Sequence, residues 1–231
     1  SADTTFDAYE KDIETIKAYL RSGDTYQVNY THRLEGIVQA DAESIFWSLN
    51  RSQPSSFAVC LETDSLAVCS VSPELFFERS YRADGGSRIH MQPMKGTRPR
   101  GRFPTEDEAI VSELKQSEKD RAENLMIVDM IRNDLGRIAE PGSVSVDSLF
   151  SIRRLPTVWQ QVSDVSARSD ASLGELFRAL FPCASVTGAP KAHTMRIIRE
   201  IEHSPRGLYT GAVGLLKPGG DAVFKIGRAH V

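Results

Sequence analysis

Two apolar runs, residues 56–62 (SFAVCLE) and 66–71 (LAVCSV), are separated only by Thr63, Asp64 and Ser65. A link that short closes an antiparallel hairpin, because a parallel pair needs a crossover of roughly a dozen residues or more. The pattern recurs along the chain. ELFFERS (74–80) and SRIHMQP (87–93) flank a loop containing Gly85-Gly86, SVSVDSLFSI (143–152) precedes TVWQQVSDVSA (157–167), and residues 207–224 (GLYTGAVGLLKPGGDAVF) read as a last hairpin. Strands in hairpins outnumber strands that alternate singly with helices, which selects an α+β fold with antiparallel sheets over a doubly wound one.

Helical segments sit between these strands. Tyr9, Ile13, Ile16 and Leu20 recur at helical spacing, and Ser22-Gly23-Asp24 supplies the stop. TYQVNYTHRLEGIV (25–38) is rich in β-branched and aromatic residues and predicts a strand, whereas DAESIFWSLNRSQ (41–53) predicts a helix that breaks before Pro54. KGTRPRGRFPTEDE (95–108) has no apolar period and predicts a loop. Residues 106–135 predict one helix closed by Gly136, followed later by helices at SLGELFRALF (172–181) and from Pro190, at a first helical position, to Glu202. No repeat or linker divides residues 1–224, which are expected to form a single domain. Residues 225–231 (KIGRAHV) interrupt an apolar strand, and IGRAHV is also what a common sequencing adapter spells in one frame. They are expected to be a scar outside the fold.

With 231 residues, 40% of them hydrophobic, the chain can bury a sizeable core. A net charge of -3 argues against a polyanion as the chief partner, so no nucleic acid is expected. No apolar run approaches the roughly 20 residues of a membrane helix, and the first residues lack the order of a signal peptide; a cytoplasmic protein without a membrane partner is expected. Cys60, Cys69 and Cys183 form no CxxC pair, which speaks against a disulfide framework or zinc site. Three buried thiols are expected, with an approach of Cys60 to Cys69 across the hairpin as the alternative.

Four places can carry chemistry. Lys95 follows a strand and precedes Gly96, with Arg98, Arg100 and Arg102 close behind. Neighbouring positive charge and partial burial both favour the neutral amine that a nucleophile needs, although a solvated basic loop or an anion-binding loop has the same composition. In residues 117–137 an apolar block (Leu125, Met126, Ile127, Val128, Met130, Ile131) is flanked by Asp120, Glu123, Asp129, Arg132, Asn133 and Asp134. Such a helix is buried, and its polar groups either form ion pairs or leave one carboxylate to hold a cation. The small residues of 182–191 (PCASVTGAPK) lead to a helix start beside Thr187 that suits a carboxylate or phosphate, but they lack the spacing of a nucleotide-binding loop. Glu74, just after Pro73, can protonate a leaving hydroxyl if buried, and is otherwise a surface carboxylate.

Taken in order, GDTYQVNYTHRL (23–34), SVSPELFFER (70–79), QPMKGTRPRG (92–101), SEKDRAENLMIVDMIRNDLGR (117–137), FPCASVTGAPK (181–191) and PRGLYTGAVG (205–214) resemble the successive motifs of the chorismate-utilising enzymes. The resemblance implies a chorismate-binding fold in which two antiparallel β-sheets pack face to face with outer helices. Lys95 places the chain with the branch that converts chorismate and ammonia to 4-amino-4-deoxychorismate on the 4-aminobenzoate and folate route; the branch that makes anthranilate carries Ala there. In the implied mechanism Lys95 adds at C2 of chorismate as the C4 hydroxyl departs, with Glu74 as general acid, and ammonia then enters at C4 and expels the lysine. Glu123 matches one of two glutamates that hold magnesium. Thr187, Gly188, Ala189 and Tyr209 match substrate-contacting positions. Gln27 stands where isochorismate synthases use a lysine, and Gln160 where many relatives have a histidine, so Gln160 can hydrogen-bond substrate but shuttle no proton. Residues 54–57 (PSSF) depart from the tryptophan-site motif of feedback-regulated anthranilate synthases, which makes that regulation doubtful. A glutamine amidotransferase partner is implied as the ammonia source, since the chain has no G-x-C-x-G elbow. Relatives extend past both ends, including an Arg and a second metal glutamate beyond Phe224, so little turnover is expected of these 231 residues alone. The alternatives are another chorismate-utilising activity, chiefly anthranilate synthesis, and a non-catalytic module of the same fold.

Overall fold

In the computed structural model, which describes residues 1–227, helix α1 (Phe6–Ser22) starts where Thr5 Oγ1 accepts the Ala8 N–H and ends at Gly23, whose φ of 80° only glycine adopts freely. Its Ile16 packs on Ile197 and Ile201 of α6 (Lys191–Ile201). Between them in sequence lie β1 (Gln27–Val28), α2 (Ala42–Ser52), the ribbon of β2 (Val59–Glu62) and β3 (Ala67–Ser70), then β4 (Leu75–Tyr81), β5 (Ser87–Met91) and β6 (Met94–Pro99). Helices α3 (Pro104–Gln116) and α4 (Glu118–Gly136), strands β7 (Ser145–Arg154) and β8 (Val158–Ser169), α5 (Leu173–Leu180), a 3-10 turn (Ala184–Val186) and β9 (Gly188–Ala189) follow. The hairpin of β10 (Gly211–Leu216) and β11 (Ala222–Gly227) comes last.

Seven strands make one sheet, every pairing antiparallel, in the order β10-β11-β4-β5-β8-β6, with β7 also on β8. Strand β8 carries β7 along one edge, and β5 and β6 end to end along the other. The α+β antiparallel class is as expected. Among the described residues, two two-stranded antiparallel ribbons, β1–β9 and β2–β3, lie outside this sheet. Helices α4 and α5 bring Ile127, Val128, Ile131, Leu135, Leu176 and Leu180 against Phe76, Phe77, Ile89 and Val165 of the sheet. Each such side chain contributes about 1.5–3 kcal/mol by leaving water. No helix among the described residues is long and apolar enough to cross a membrane.

Several local expectations change. Of residues 25–38 only Gln27 and Val28 pair as a strand; Leu34, Ile37 and Val38 stay exposed. The segment after Lys95 is not a loop but β6, whose lack of apolar period reflects a strand half open to solvent. The long helix breaks at Ser117, which caps α4 by accepting the Asp120 N–H. Gly136 is the last helical residue and not a left-handed cap, and Pro190 is the cap of α6 rather than its first residue. Cys69 and Cys183 are buried, whereas Cys60 is half-buried; it faces Cys69 with 3.9 Å between the two free thiols. Lys225, Ile226 and Gly227, expected to lie outside the fold, complete β11, and Ile226 joins the core; residues 228–231 lie outside the described residues.

Candidate active site

Strand register gathers four of the candidate residues, Glu74, Lys95, Gln160 and Tyr209, at one end of the sheet. Glu78 pairs with His90 and His90 with Ser166, so Glu74 and Gln160 both lie beyond that level in the direction of Met91. Lys95 follows Met94, the partner of Val162, at the same end. Lys225 pairs with Leu75, and Gly211 with Gly227, which brings Tyr209 there too.

Lys95 stands on a bulge. Met94 pairs with Val162 but Thr97 with Gln160, so β6 spends one residue more than β8 over the same stretch. Gly96 absorbs it at φ 88°, and a Cβ there would sit 3.0 Å from Cβ of Asp120. A bulge of this kind re-aims the neighbouring side chain out of the ladder. The arginines behind Lys95 are not a free anion site: Arg98 pairs with Glu113 and Asp120, each at 2.9 Å, and Arg100 is bound to Asp107 while stacking on Trp159. The Arg100 guanidinium holds the Asp107 carboxyl far below the usual carboxylate range.

The ion-pair reading of α4 holds for three of its carboxylates. Asp120 pairs with Arg98, Asp129 with Arg132, and Asp134 with Lys191 at 2.6 Å. Glu123, one turn on from Asp120, has no hydrogen bond or ion pair among the described residues. No group of three or more His, Cys, Asp or Glu among the described residues is placed to hold a metal ion. A half-exposed carboxylate left unpaired beside paired neighbours fits one ligand of a magnesium ion that takes its other oxygens elsewhere.

Glu74 enters β4 almost fully buried, at 2% exposure, with its carbonyl accepting the Ile226 N–H. Burial first, and the charge of Glu74 second, push the Cys183 thiol up to about 11. Strands β1 and β9 form a ladder, Gln27 opposite Ala189 and Val28 opposite Gly188, and Thr25 Oγ1 donates to the Ala189 carbonyl at 2.8 Å. The Gln27 Oε1 is buried with no partner among the described residues, a polar atom held for a ligand or water. The Thr187 hydroxyl donates back to the Cys183 carbonyl at 3.1 Å. Thr187 and Tyr209 line one cavity of about 500 Å³ together with Phe181, Pro182, Met195 and Arg206; Lys95, Glu74 and Glu123 are not in its walls.

Sequence reasoning missed two clamps. Arg206 donates to the Val186 and Asn29 carbonyls, both at 2.6 Å, and to Glu202, joining three of the motifs; its only signal was the Glu four residues earlier. Lys191 donates to Asp134 and to the Leu180 and Pro182 carbonyls, so this lysine locks the turn.

Asp164 secures the β5–β6 corner by accepting from Gln92 Nε2 at 2.6 Å, His90 Nε2 at 2.9 Å and Ser148 Oγ at 2.7 Å. Burial works against its charge, but these hydrogen bonds outweigh it and lower its pKa. A carboxylate lowered in the folded state stabilises above its unfolded value, about 4, and loses that contribution as pH falls further. Asp164→Asn is therefore expected to flatten the acid limb of urea-unfolding stability below about pH 4; an unchanged limb would assign that limb to other carboxylates.

Residues 1–227 match the family described as chorismate binding enzyme. The chain is 46% identical over 210 residues to the aminodeoxychorismate synthase of Streptomyces griseus, covering 90% of this chain and 28% of that protein. It is 43% identical over 217 residues to the aminodeoxychorismate synthase component 1 of Klebsiella aerogenes, covering 93% and 47%. The crystal structure of anthranilate synthase component I from Streptococcus pneumoniae TIGR4 superposes with a TM-score of 0.88 at 28% identity, covering 99% of this chain and 50% of that one. The chain thus spans half or less of the length of these relatives.

Proposed function

The chain belongs to the chorismate-binding enzyme family, and on that footing we propose that the protein is the chorismate-aminating component of an aminodeoxychorismate synthase, acting in the cytoplasm with a glutamine amidotransferase that supplies ammonia. The observation that carries this reading is Lys95, an amine raised on a bulge at the end of the sheet to which the register also brings Glu74 and Tyr209. The similarity to aminodeoxychorismate synthases over most of the chain supports it.

Chorismate would lie with its carboxylates toward the β1–β9 ribbon and the Thr187 turn. The Lys95 nitrogen forms a bond to C2 as both ring double bonds shift, C1=C2 to C1=C6 and C5=C6 to C4=C5, and the C4–oxygen bond breaks; Glu74 donates the proton with which the hydroxyl leaves as water. Ammonia then bonds to C4, gives up a proton, and the C2–nitrogen bond to Lys95 breaks, restoring both ring double bonds and the free amine. Burial of Glu74 shields the site of this proton transfer from bulk water. Glu123 would hold a magnesium ion, which when bound polarises the ring carboxylate. In this reading the 4-amino product feeds 4-aminobenzoate and folate synthesis as a transamination-type reaction.

The test is to incubate the whole protein with chorismate, magnesium and ammonia and to identify the product by mass spectrometry, with a chelated control. 4-Amino-4-deoxychorismate, formed only with magnesium, is expected. Anthranilate or isochorismate as the main product would move the protein to a sister activity, and no chorismate consumption would favour a non-catalytic module.

A further inference from the structure

We propose that Gln160 is a positioning residue for Lys95, fastening the two residues behind it so that the lysine leaves the β6 bulge in one direction. This rests on the reading of Lys95 as the nucleophile. Gln160 is buried, at 8% exposure, and both ends of its amide are used inside the chain. Its Oε1 accepts from Thr97 Oγ1 at 2.8 Å and its Nε2 donates to the Gly96 carbonyl at 2.9 Å.

The bulge explains why such a clamp is needed. Between Met94 and Thr97 the ladder is interrupted, and the residue that absorbs the extra length is a glycine with wide conformational freedom. On one side Asp120 and Leu114 lie within 3.2 Å of where a Cβ on Gly96 would sit, so a larger residue is crowded there. On the other side, across the ladder, the Gln160 amide grips the Gly96 carbonyl. A neutral amide is the group of this reach that can donate to the Gly96 carbonyl and accept from the Thr97 hydroxyl at once. A carboxylate of the same shape lacks the donor and would turn a lone pair toward the Gly96 oxygen. Small errors in the direction of an attacking atom cost rate rather than affinity, because the substrate binds through other groups.

Three variants of the whole protein test this: Gln160→Leu, which removes both hydrogen bonds; Gln160→Glu, which removes the donor alone; and Thr97→Val, which removes the exposed hydroxyl at little risk to folding. In the ammonia-dependent reaction Gln160→Leu is expected to lower kcat about 10-fold, with the KM for chorismate changed less than about 2-fold. Gln160→Glu and Thr97→Val are expected to follow in the same direction. Independently of activity, the ratio of acetylation at Lys95 to that at the exposed Lys115 is read by peptide mass spectrometry without substrate. A loosened bulge should raise it about 3-fold in Gln160→Leu and also raise it in Thr97→Val. Should Gln160→Leu not fold, Thr97→Val and Gln160→Glu carry the test. A raised KM with kcat intact, or an unchanged labelling ratio in the folded variants, overturns the proposal. A shifted labelling ratio in a protein that does not aminate chorismate would uphold the clamp and sink the nucleophile reading on which its purpose rests.

Discussion

Lys95→Ala is expected to lower kcat/KM for the ammonia-dependent conversion of chorismate to 4-amino-4-deoxychorismate by roughly a thousandfold or more, with the urea midpoint nearly unchanged. The size follows from the role. Without the amine no covalent adduct at C2 can form, and ammonia must displace the C4 hydroxyl directly, without that intermediate. The small structural cost follows from the place: Lys95 is half-buried on a bulge, outside both hydrophobic core clusters, and the ladder on either side of it runs through Met94 and Thr97. The measurement is steady-state product formation by mass spectrometry alongside equilibrium unfolding. Retention of a tenth or more of wild-type turnover would remove Lys95 from the covalent chemistry and leave it a binding role. A collapse of stability would instead mean that the bulge depends on the lysine, and activity loss would then say nothing about a nucleophile.

The largest structural effect is expected from Gly188→Ala, which should destabilise the fold by about 3–5 kcal/mol and abolish chorismate turnover. A Cβ on Gly188 would lie 2.0 Å from the Gln27 carbonyl oxygen and 2.5 Å from Thr194 Cγ2. The first of these is backbone in the facing strand, so no side-chain rotation relieves it. Either β1 moves away from β9 or the Thr187 turn moves away from the end of the sheet. Both displace Gln27, Ala189 and Thr187 together, and separating the strands also costs the hydrogen bonds from Thr25 Oγ1 and the Tyr26 N–H to the Ala189 carbonyl. Urea unfolding decides the matter. An unchanged midpoint would show that the ribbon tolerates a wider spacing and that the glycine is not required by close approach.

The sequence by itself was enough wherever structure is made by neighbours in the chain. The end of α1 at Gly23, the β2–β3 hairpin about its short turn, the β4–β5 pair and the helices α5 and α6 are local matters, settled by apolar period, caps and turn residues within a few positions. The six ordered motifs likewise pointed to the chorismate-binding family. What tertiary structure alone decided is everything that depends on a partner far along the chain. Strand β6 has no apolar alternation of its own and is a strand because β8, some 60 residues later, supplies the ladder. Arg206 had the look of a surface arginine until Asn29 and Val186, brought in by other motifs, offered their carbonyls. Nothing in the stretch around Gln160 reveals that its amide accepts from Thr97 and donates to the Gly96 carbonyl in the bulge opposite. Composition and period report what a segment can bury; register between distant strands determines which atoms meet, and the direction in which Lys95 points belongs to that second kind of information.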